Sequence, residues 1–337
     1  MHWAGRFNGR EPHERFMMHE HHRTAVIALG GNALAPSGET STVYDQFRHT
    51  RESLGPIVDL ALAGWSVCIV HGNGPQVGDE LVRNEVARGE ASPLPLGVLV
   101  AATAGWIGYM VQQSLENALI RAGSPRSVAT VITQVEIDPT DPALRNPTKF
   151  IGRGLSRERA KQLQADGHVV KADGHGKLRR VVGSPAPRSI RELAVVKALV
   201  EQGMLVVACG GGGAPVYRHP TLGWEGIDAV VDKDLAAAVL ARDLGAELLL
   251  ILTDVDAVFA GWGTPEQRPL SRLSADEAVR MDEEKAFGEG SMAPKIRAAV
   301  DFVRRTGGRA IITSLSRGQE AVHGNAGTTI TATAENA

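Results

Sequence analysis

The sequence predicts an α/β fold in which helices cover a mainly parallel sheet. From Thr24 onward, short apolar runs alternate with helical patterns, which is typical of parallel strands joined by helices. Several apolar runs end on glycine-rich loops, the position at which open α/β sheets bind ligands. The chain has 337 residues, 43% of them hydrophobic and 22% charged, so it can bury the core that this fold needs.

Strand and helix patterns follow one another in order along the chain. The strand patterns are AVIALG, WSVCIV, VATVITQV, MLVVACGGGG, AELLLILTDVDAVF, RAIITSL and TTI. The helical patterns are VYDQFRHTRESLGPIVDLALAG, PQVGDELVRNEVARG, LGVLVAATAGWIGYMVQQSLENALIRAG, SRERAKQLQADG, DKDLAAAVLARDLG, LSADEAVRMDEEKAF and APKIRAAVDFVRRTG. Gly64 suits the end of the first helix, and Pro75 suits the first turn of the second.

The amino-acid composition of the chain changes between Asp138 and Arg188. This stretch is rich in proline, glycine and basic residues and has little helical periodicity outside SRERAKQLQADG. Long insertions into a compact domain are often functional lids. The sequence therefore divides into a flexible N-terminal extension (1–23), an N-terminal lobe (24–137), a protruding lid subdomain (138–188) and a C-terminal lobe (189–337).

Composition excludes several classes of protein. The net charge of −2 gives no sign of a nucleic-acid-binding surface, and no apolar run is long enough to span a membrane. The first residues lack the apolar core of a signal peptide. Cys68 and Cys209 lie in apolar runs and are expected to be buried, which suits a reducing, cytoplasmic location. His19, His21 and His22 could bind a metal, but a mobile polar extension is the favoured interpretation.

Three glycine-rich loops each follow a predicted strand. Glycine tolerates positive φ and lets the backbone approach a ligand closely, so such loops can bind phosphate through main-chain N–H groups. One loop alone could be a tight turn, but three at one sheet edge favour a phosphorylated ligand. The Walker loop, the dinucleotide-binding pattern and the protein-kinase motifs are absent. The candidate binding residues are Gly30, Gly31, Asn32, Gly72, Asn73, Gly74, Gly210, Gly211 and Gly212.

The motifs, in their order along the chain, resemble those of carbamate kinases in the amino acid kinase superfamily. They are ALGGNAL, HGNGPQVG, GYMVQQSLENAL, NPTKFIG, VVACGGGGAPV, EGIDAVVDKDLAA, LTDVDAVF and GSMAPK, and the resemblance covers the chain from Ala25 to Ile330. The resemblance implies a three-layer αβα sandwich with two lobes and a small protruding subdomain. It implies that the N-terminal lobe holds carbamate, that the C-terminal lobe holds ATP, and that phosphate passes between them to give ADP and carbamoyl phosphate. It also implies a cytoplasmic homodimer that acts in arginine catabolism and uses Mg²⁺ held mainly by ATP or ADP, with no protein side chain assigned as a metal ligand.

Four residues are candidates for catalysis. Lys233 and Lys295 can neutralise charge on the transferred phosphoryl group, and Asp234 can orient the two lysines or a magnesium ion. Singly, each would suit a solvated charge cluster at a helix end. Lys149, in the predicted lid, can close over the acceptor, although an exposed loop lysine is a serious alternative.

The nucleotide-binding residues lie in LTDVDAVF and GSMAPK. Asp254 and Asp256 follow a strand at the edge where a ribose or phosphates would lie, although aspartate is common in turns. Trp106 and Tyr109 suit a core or a dimer interface. The residues assigned to the nucleotide are Asp254, Val255, Ala257, Val258, Met292 and Pro294.

The sequence departs from the family pattern at three points. PTKFIGRGL lacks the usual proline after PTK, GSMAPK replaces GSMGPK, and Ala28 and Leu29 stand where many superfamily members carry a lysine. Lys149 or Lys233 can supply that missing cation. Two alternatives stay open: a superfamily enzyme that acts on another small carboxylate or phosphate, and a silent nucleotide-binding regulator.

Overall fold

The computed structural model describes residues 23–34, 42–174, 176–287 and 292–333, with only the backbone at Asn32 and Ala33. The predicted N-terminal extension, with its three histidines, lies outside these ranges apart from Arg23. Residues 288–291 also lie outside them, and they include Gly290 and Ser291, the first two residues of the GSMAPK motif.

An eight-stranded sheet forms the centre of the molecule. Its strand order is β15-β17-β16-β12-β1-β2-β9-β3, and all neighbours are parallel except β16 and β17. The strands of this sheet are β1 (Thr24–Leu29), β2 (Ser66–His71), β3 (Val128–Thr130), β9 (Leu205–Val207), β12 (Leu248–Thr253), β15 (Arg272–Ser274), β16 (Arg309–Ser314) and β17 (Thr328–Thr331).

Three smaller sheets surround the central one. One has the order β11-β10-β4-β8, another the order β5-β7-β6, and β13 pairs with β14. Their strands are β4 (Gln134–Ile137), β5 (Lys149–Ile151), β6 (Val169–Ala172), β7 (Leu178–Val182), β8 (Pro187–Ile190), β10 (Ala214–His219), β11 (Gly223–Gly226), β13 (Val258–Ala260) and β14 (Arg268–Leu270).

Helices cover both faces of the central sheet. The helices that the structure describes, including α7 on the small sheet, are α1 (Gly31–Leu34), α2 (Val43–Glu52), α3 (Gly55–Leu62), α4 (Gly74–Val86), α5 (Leu96–Arg121), α6 (Pro142–Arg145), α7 (Arg157–Ala165), α8 (Leu193–Glu201), α9 (Lys233–Leu244), α10 (Ala275–Glu283), α11 (Met292–Thr306) and α12 (Gly318–Val322). Short 3₁₀ turns lie at Gly210–Gly212 and Leu315–Arg317.

Alternate residues of β1 show the three layers directly. Ala25, Ile27 and Leu29 pack with buried residues of α3 and α5 on one face. Val26 and Ala28 pack with α8, α9 and α11 on the other face. Because successive strand residues point to opposite faces, both faces of the sheet are buried. The predicted αβα class is confirmed.

Three predicted elements each divide into two. The helix predicted over 43–64 ends at Glu52 and restarts at Gly55, because Pro56 has no N–H to continue the helical hydrogen bonds. The strand pattern VATVITQV contributes β3 to the central sheet and β4 to the sheet beside it. AELLLILTDVDAVF contributes β12 and then β13, with a turn between them. Among the elements that the sequence pattern did not predict are α8, β10, β11, β14 and β15.

The predicted lid stretch contains a small antiparallel sheet. Strands β5, β7 and β6 pair within residues 149–182, and α7 packs against β6 and β7. By contrast, β8 crosses the predicted boundary at residue 188 and pairs with β4 outside the small sheet. In the following sections, the subdomain means residues 149–182.

Candidate active site

Three glycine-rich loops meet at the carboxyl edge of the central sheet. They follow β1, β2 and β9, which lie on one side of β12 in the strand order. A Cβ atom built on Gly72 would lie 3.1 Å from Gly31 N, so the second loop packs directly on the first. A Cβ atom built on Gly211 would lie 2.2 Å from Asn73 Nδ2, so the third loop packs on the second. The structure thus brings the three predicted loops together, and their binding of phosphate stays a prediction.

Glycine has a different purpose in the third loop than in the first two. Gly211 and Gly212 have φ of 68° and 93°, after Cys209 with φ of 51°, so this turn needs the left-handed conformation that glycine adopts without strain. No glycine of the first two loops lies in that region. There, close packing explains the glycine: Gly30 N donates to Leu252 O at 3.0 Å, and a Cβ atom on Gly30 would lie 3.2 Å from the same oxygen.

Two buried polar side chains support the second loop from behind. His71 Nδ1 donates to Gly72 O at 3.0 Å, and Asn73 Nδ2 donates to Thr103 Oγ1 at 2.9 Å. Burial lowers the pKa of His71 to about 4, and the nearby Lys233 cation acts in the same direction. The imidazole is therefore neutral at pH 7, and it orients the loop without adding charge to the site.

A buried cluster of three charges lies beside these loops, and we call it the inner cluster. Asp234 accepts from Lys233 Nζ at 2.5 Å through Oδ1, and Lys295 Nζ lies 3.4 Å from its Oδ2. The Asp234 side chain is only 4% exposed. A Cβ atom built on Gly72 would lie 3.3 Å from Lys233 Cδ, which places this lysine against the second loop. The three predicted catalytic residues Lys233, Asp234 and Lys295 therefore lie together.

The inner cluster carries one positive charge in excess when all three groups are ionised. Burial lowers the pKa of the Lys233 ammonium; Asp234 opposes this effect, and the Lys295 cation adds to it. Two buried lysine ammonium groups beside the glycine loops favour an anion at this position. An incoming phosphate is the kind of group that would complete the charge balance.

A second lysine–aspartate pair, the outer pair, joins the subdomain to α9. Lys149 Nζ donates to Asp232 Oδ2 at 2.5 Å, across 83 positions of sequence. Asp232 is the N-cap of α9, and its Oδ1 accepts from Asp234 N at 2.9 Å and from Leu235 N at 3.3 Å. The Lys149 side chain is 33% exposed. Lys149, the fourth predicted catalytic residue, thus pairs with the residue directly before Lys233 of the inner cluster.

Lys149 also determines the charge state of its partner. Burial acts to raise the pKa of Asp232, but attraction to Lys149 and the hydrogen bond from it prevail, so the pKa lies below the ordinary range of aspartate. Asp232 therefore stays ionised at neutral pH. Sequence analysis passed over Asp232, although aspartate immediately before a helical pattern is a recognised N-cap signal.

The positive ends of two helices point to the same edge. Helix α9 leads into β12 and α11 leads into β16, two parallel strands, so both helices begin near the carboxyl ends of the strands. Lys233 is the first residue of α9, and Lys295 lies in the first turn of α11. The partial positive charge of a helix N-terminus and the lysine charges act together in favour of an anion. Within the described ranges, no group of three His, Cys, Asp or Glu side chains could hold a metal ion.

A sequence model of the amino acid kinase family matches residues 23–314. The chain belongs to the amino acid kinase family. Carbamate kinase from Pyrococcus horikoshii is 41% identical over 309 residues, which cover 91% of this chain and 98% of that protein. Carbamate kinase from Haemophilus influenzae is 44% identical over 309 residues, which cover 91% of this chain and 96% of that protein.

Solved structures agree with these sequence relationships. Carbamate kinase from Giardia lamblia bound to citric acid has a TM-score of 0.87 and 38% identity to this chain, covering 92% of it and 99% of that protein. The same kinase bound to AMP-PNP has a TM-score of 0.84. The resemblance drawn from the motifs is confirmed by these relatives, and this amino acid kinase shares their fold.

The predicted nucleotide-binding segment of this amino acid kinase follows β12, the strand beside β1. Asp254 is exposed and accepts from Thr253 Oγ1 at 3.0 Å, and a Cβ atom on Gly30 would lie 3.9 Å from Thr253 Cα. The segment therefore lies against the first glycine loop. Val258 is fully buried in the core and its N–H donates to Thr328 Oγ1, so its side chain offers no surface to a ligand here.

The other residues assigned to the nucleotide differ in exposure. Val255 and Met292 are half-buried, and Ala257 is buried. Pro294 lies in the first turn of α11, directly before Lys295. Nucleotide binding by these residues stays a prediction. Both cysteines are fully buried, as predicted, and burial raises the pKa of the Cys209 thiol to about 12.

Proposed function

We propose that this amino acid kinase is a carbamate kinase, which transfers a phosphoryl group reversibly between ATP and carbamate and gives ADP and carbamoyl phosphate. The observation that carries the proposal is the inner cluster: two buried lysines and one carboxylate at two helix N-termini, facing three glycine loops. The site contains cations and main-chain donors, and phosphoryl transfer requires positioning and charge stabilisation more than covalent catalysis. The activity named for the relatives supports the choice of carbamate.

In this proposal, each side chain has a definite role. Lys233 and Lys295 stabilise the negative charge on the phosphoryl oxygens in the transition state, and Asp234 holds the two ammonium groups in place. Lys149 supplies the cation that Ala28 and Leu29 lack at the first loop. Carbamate lies over the second loop, where Gly74 has open space beside it.

The acceptor is small and is held mainly by the backbone. Neutral His71 and Asn73 fix the second loop from behind, so its N–H groups are preorganised rather than mobile. An amino-acid acceptor would present a carboxylate that an arginine binds through two parallel hydrogen bonds. Carbamate needs no such arginine, which is consistent with carbamate as the acceptor.

Magnesium enters this site as part of the nucleotide substrate. Both carboxylate oxygens of Asp234 face lysine ammonium groups, so this residue already has two cations as partners. A magnesium ion bound by the β- and γ-phosphates would neutralise part of their charge. The residues of the site thus fit a metal that the nucleotide phosphates hold.

The proposal includes a cellular context. The enzyme acts in the cytoplasm in arginine catabolism, where it forms ATP from carbamoyl phosphate. Within the described residues, no helix has the length and apolar character needed to cross a membrane. The enzyme forms a homodimer through α2 and α5, which contact each other and expose the aromatic side chains of Tyr44 and Tyr109.

Purified protein tests this function directly. We expect ATP to form from ADP, Mg²⁺ and carbamoyl phosphate in a coupled assay. The Lys295→Ala variant should lose about 3–4 kcal/mol of transition-state stabilisation, mainly in kcat. Lys197→Ala, which removes an exposed lysine that pairs with Glu201, is the matched control and should retain full activity.

Two results would contradict the proposal. Phosphorylation of acetate or another small carboxylate, without reaction of carbamoyl phosphate, would indicate a different enzyme of the family. Nucleotide binding with no phosphoryl transfer to any small carboxylate would indicate a regulator.

A further inference from the structure

Two glycines of this chain pack against each other at the junction between α4 and the subdomain. A Cβ atom built on Gly78 would lie 2.0 Å from Gly152 Cα and 2.6 Å from Gly152 N. No side chain fits in that space, and the atoms that it would meet are backbone rather than the end of a flexible side chain. The junction therefore depends on glycine at position 78.

The Gly152 peptide is held from both sides. Its N–H donates to Gly74 O at 3.0 Å, and its carbonyl accepts from Arg179 Nη2 at 2.8 Å. Gly74 begins α4 and ends the second glycine loop, and Arg179 belongs to β7 of the subdomain. The contact therefore joins the proposed acceptor loop to the strand that carries Lys149.

Ion pairs extend this docking along α4. Arg153 Nη2 lies 3.3 Å from Asp79 Oδ2, and Arg180 Nη1 lies 3.1 Å from Glu85 Oε1. Arg159 of α7 binds the other oxygen of Glu85. The subdomain thus contacts α4 both near its start and near its end, and the two glycines set the separation of the two bodies.

Lys149 and Gly152 lie at the two ends of one short chain segment that contains β5. They are three residues apart, and three residues of extended chain span roughly 10 Å. One end is fixed on α4 by Gly152, and the other reaches Asp232 at the start of α9 through the lysine ammonium. A displacement of Gly152 should therefore displace Lys149 by a similar distance.

We propose that Gly78 and Gly152 are positioning residues for Lys149: their close contact places this lysine over the site where the acceptor loop and α9 meet. This inference rests on the proposed role of Lys149 in phosphoryl transfer. It adds that a backbone contact between the subdomain and α4 fixes the position of the lysine, so that the acceptor loop and the lysine move as one unit.

The test is a double-mutant cycle with Gly78→Ala and Lys149→Met. A methyl group at position 78 must push Gly152 away, so we expect kcat to fall roughly 10- to 100-fold, since a misplacement of about 1 Å can cost that much. The KM for ADP should change less than about twofold, because the nucleotide segment lies elsewhere. In the Lys149→Met background, Gly78→Ala should have almost no further effect on kcat.

Two further variants control for general damage to the fold. Gly105→Ala replaces another helical glycine, whose Cβ atom would meet only Ile132 Cδ1 at 3.5 Å, and should leave kcat unchanged. Gly152→Ala is the second test: φ of 67° strains alanine there, and its Cβ atom would lie 3.3 Å from Gly78 Cα. It should lower kcat through the same lysine, and thermal melting shows whether each variant is folded.

Limited trypsin digestion gives a readout that does not depend on activity. We expect cleavage between Lys149 and Arg180 to be faster in Gly78→Ala than in wild type or Gly105→Ala, because the subdomain is less tightly docked. If wild type does not convert carbamoyl phosphate but Gly78→Ala still accelerates cleavage, the proposed function fails and the docking contact stands. Unchanged kcat and unchanged cleavage in both glycine variants would overturn the inference, as would full additivity with Lys149→Met.

Discussion

Two lysine–aspartate contacts lie at the start of α9 and differ in how they are built. In the inner cluster, Asp234 is almost fully buried, and both of its lysines belong to helices of the same core layer. In the outer pair, Lys149 is one-third exposed and arrives from a separate small sheet. The two aspartates are only two residues apart, so sequence position does not account for the difference.

The comparison shows two ways to position a cation. The inner lysines are held by packing of α9 against α11, so their positions are fixed once the core has folded. Because they are buried, the loss of the carboxylate that they share is costly. Lys149 depends instead on how the subdomain docks on α4. Changes to the inner cluster should therefore affect both stability and activity, and changes to Lys149 should affect activity more than stability.

The largest expected effect follows from Asp234→Ala. Lys233 and Lys295 would then lose the carboxylate that they share, and removing one partner from a buried pair costs about 3–5 kcal/mol. We expect the free energy of unfolding in urea to fall by that amount, and activity to fall below detection.

Asp243→Ala, on the same helix, is the matched control. Asp243 pairs with its neighbour Arg242 at the far end of α9, a contact worth at most about 1 kcal/mol. A similar loss of stability in both variants would mean that the inner cluster is an ordinary ion pair.

A smaller and more selective effect is expected for Lys149→Met. We expect kcat to fall roughly 100-fold, as for the loss of one charged donor in other active sites. The free energy of unfolding should fall by less than for Asp234→Ala, because Lys149 is one-third exposed and Asp232 keeps its two helix N–H donors.

Lys161→Met provides the comparison within the subdomain. Lys161 is exposed on α7, and its removal should leave both kcat and stability unchanged. A stability loss for Lys149→Met as large as that for Asp234→Ala would remove the distinction between the two regions.

Acid provides the mildest test, because it acts on His71, which lies near Lys233 of the inner cluster, before it acts on the outer pair. The folded-state pKa of this histidine is about 4, below the ordinary value of 6.5. As pH falls below 6.5, His71 becomes protonated in the unfolded chain but stays neutral in the folded protein, so the free energy of unfolding decreases toward pH 4. Between pH 7 and pH 5 this amounts to about 2 kcal/mol, at about 1.4 kcal/mol per pKa unit.

The measurement is the difference in unfolding free energy between pH 7 and pH 5, for wild type and for His71→Gln. The variant should lose about 2 kcal/mol less over this range. His323→Gln, at an exposed position, should behave as wild type. The outer pair should not contribute, since the pKa of Asp232 lies below the ordinary aspartate range. An identical pH dependence in wild type and His71→Gln would show that His71 takes up its proton without unfolding the site.

Much of the fold could be predicted from the sequence because its signals are local. The apolar strands and long helices follow from periodicity, and the glycine loops and Pro75 mark the carboxyl edge of the sheet. The family motifs then assigned Lys233, Asp234 and Lys295, all of which lie in the inner cluster. Their proximity could be expected because strand ends of a parallel sheet share one edge.

What the sequence by itself determined is therefore the class of fold and four of the charged groups at the site, without Asp232. Only the tertiary structure decided which of these groups meet. The pairing of Lys149 with Asp232 spans 83 positions, and the contact between Gly78 and Gly152 joins two separate bodies of the molecule. Both depend on how the subdomain packs on α4, a long-range arrangement that no local pattern encodes. The same holds for the need for glycine at position 78, because only the approach of a second backbone makes a methyl group there too large.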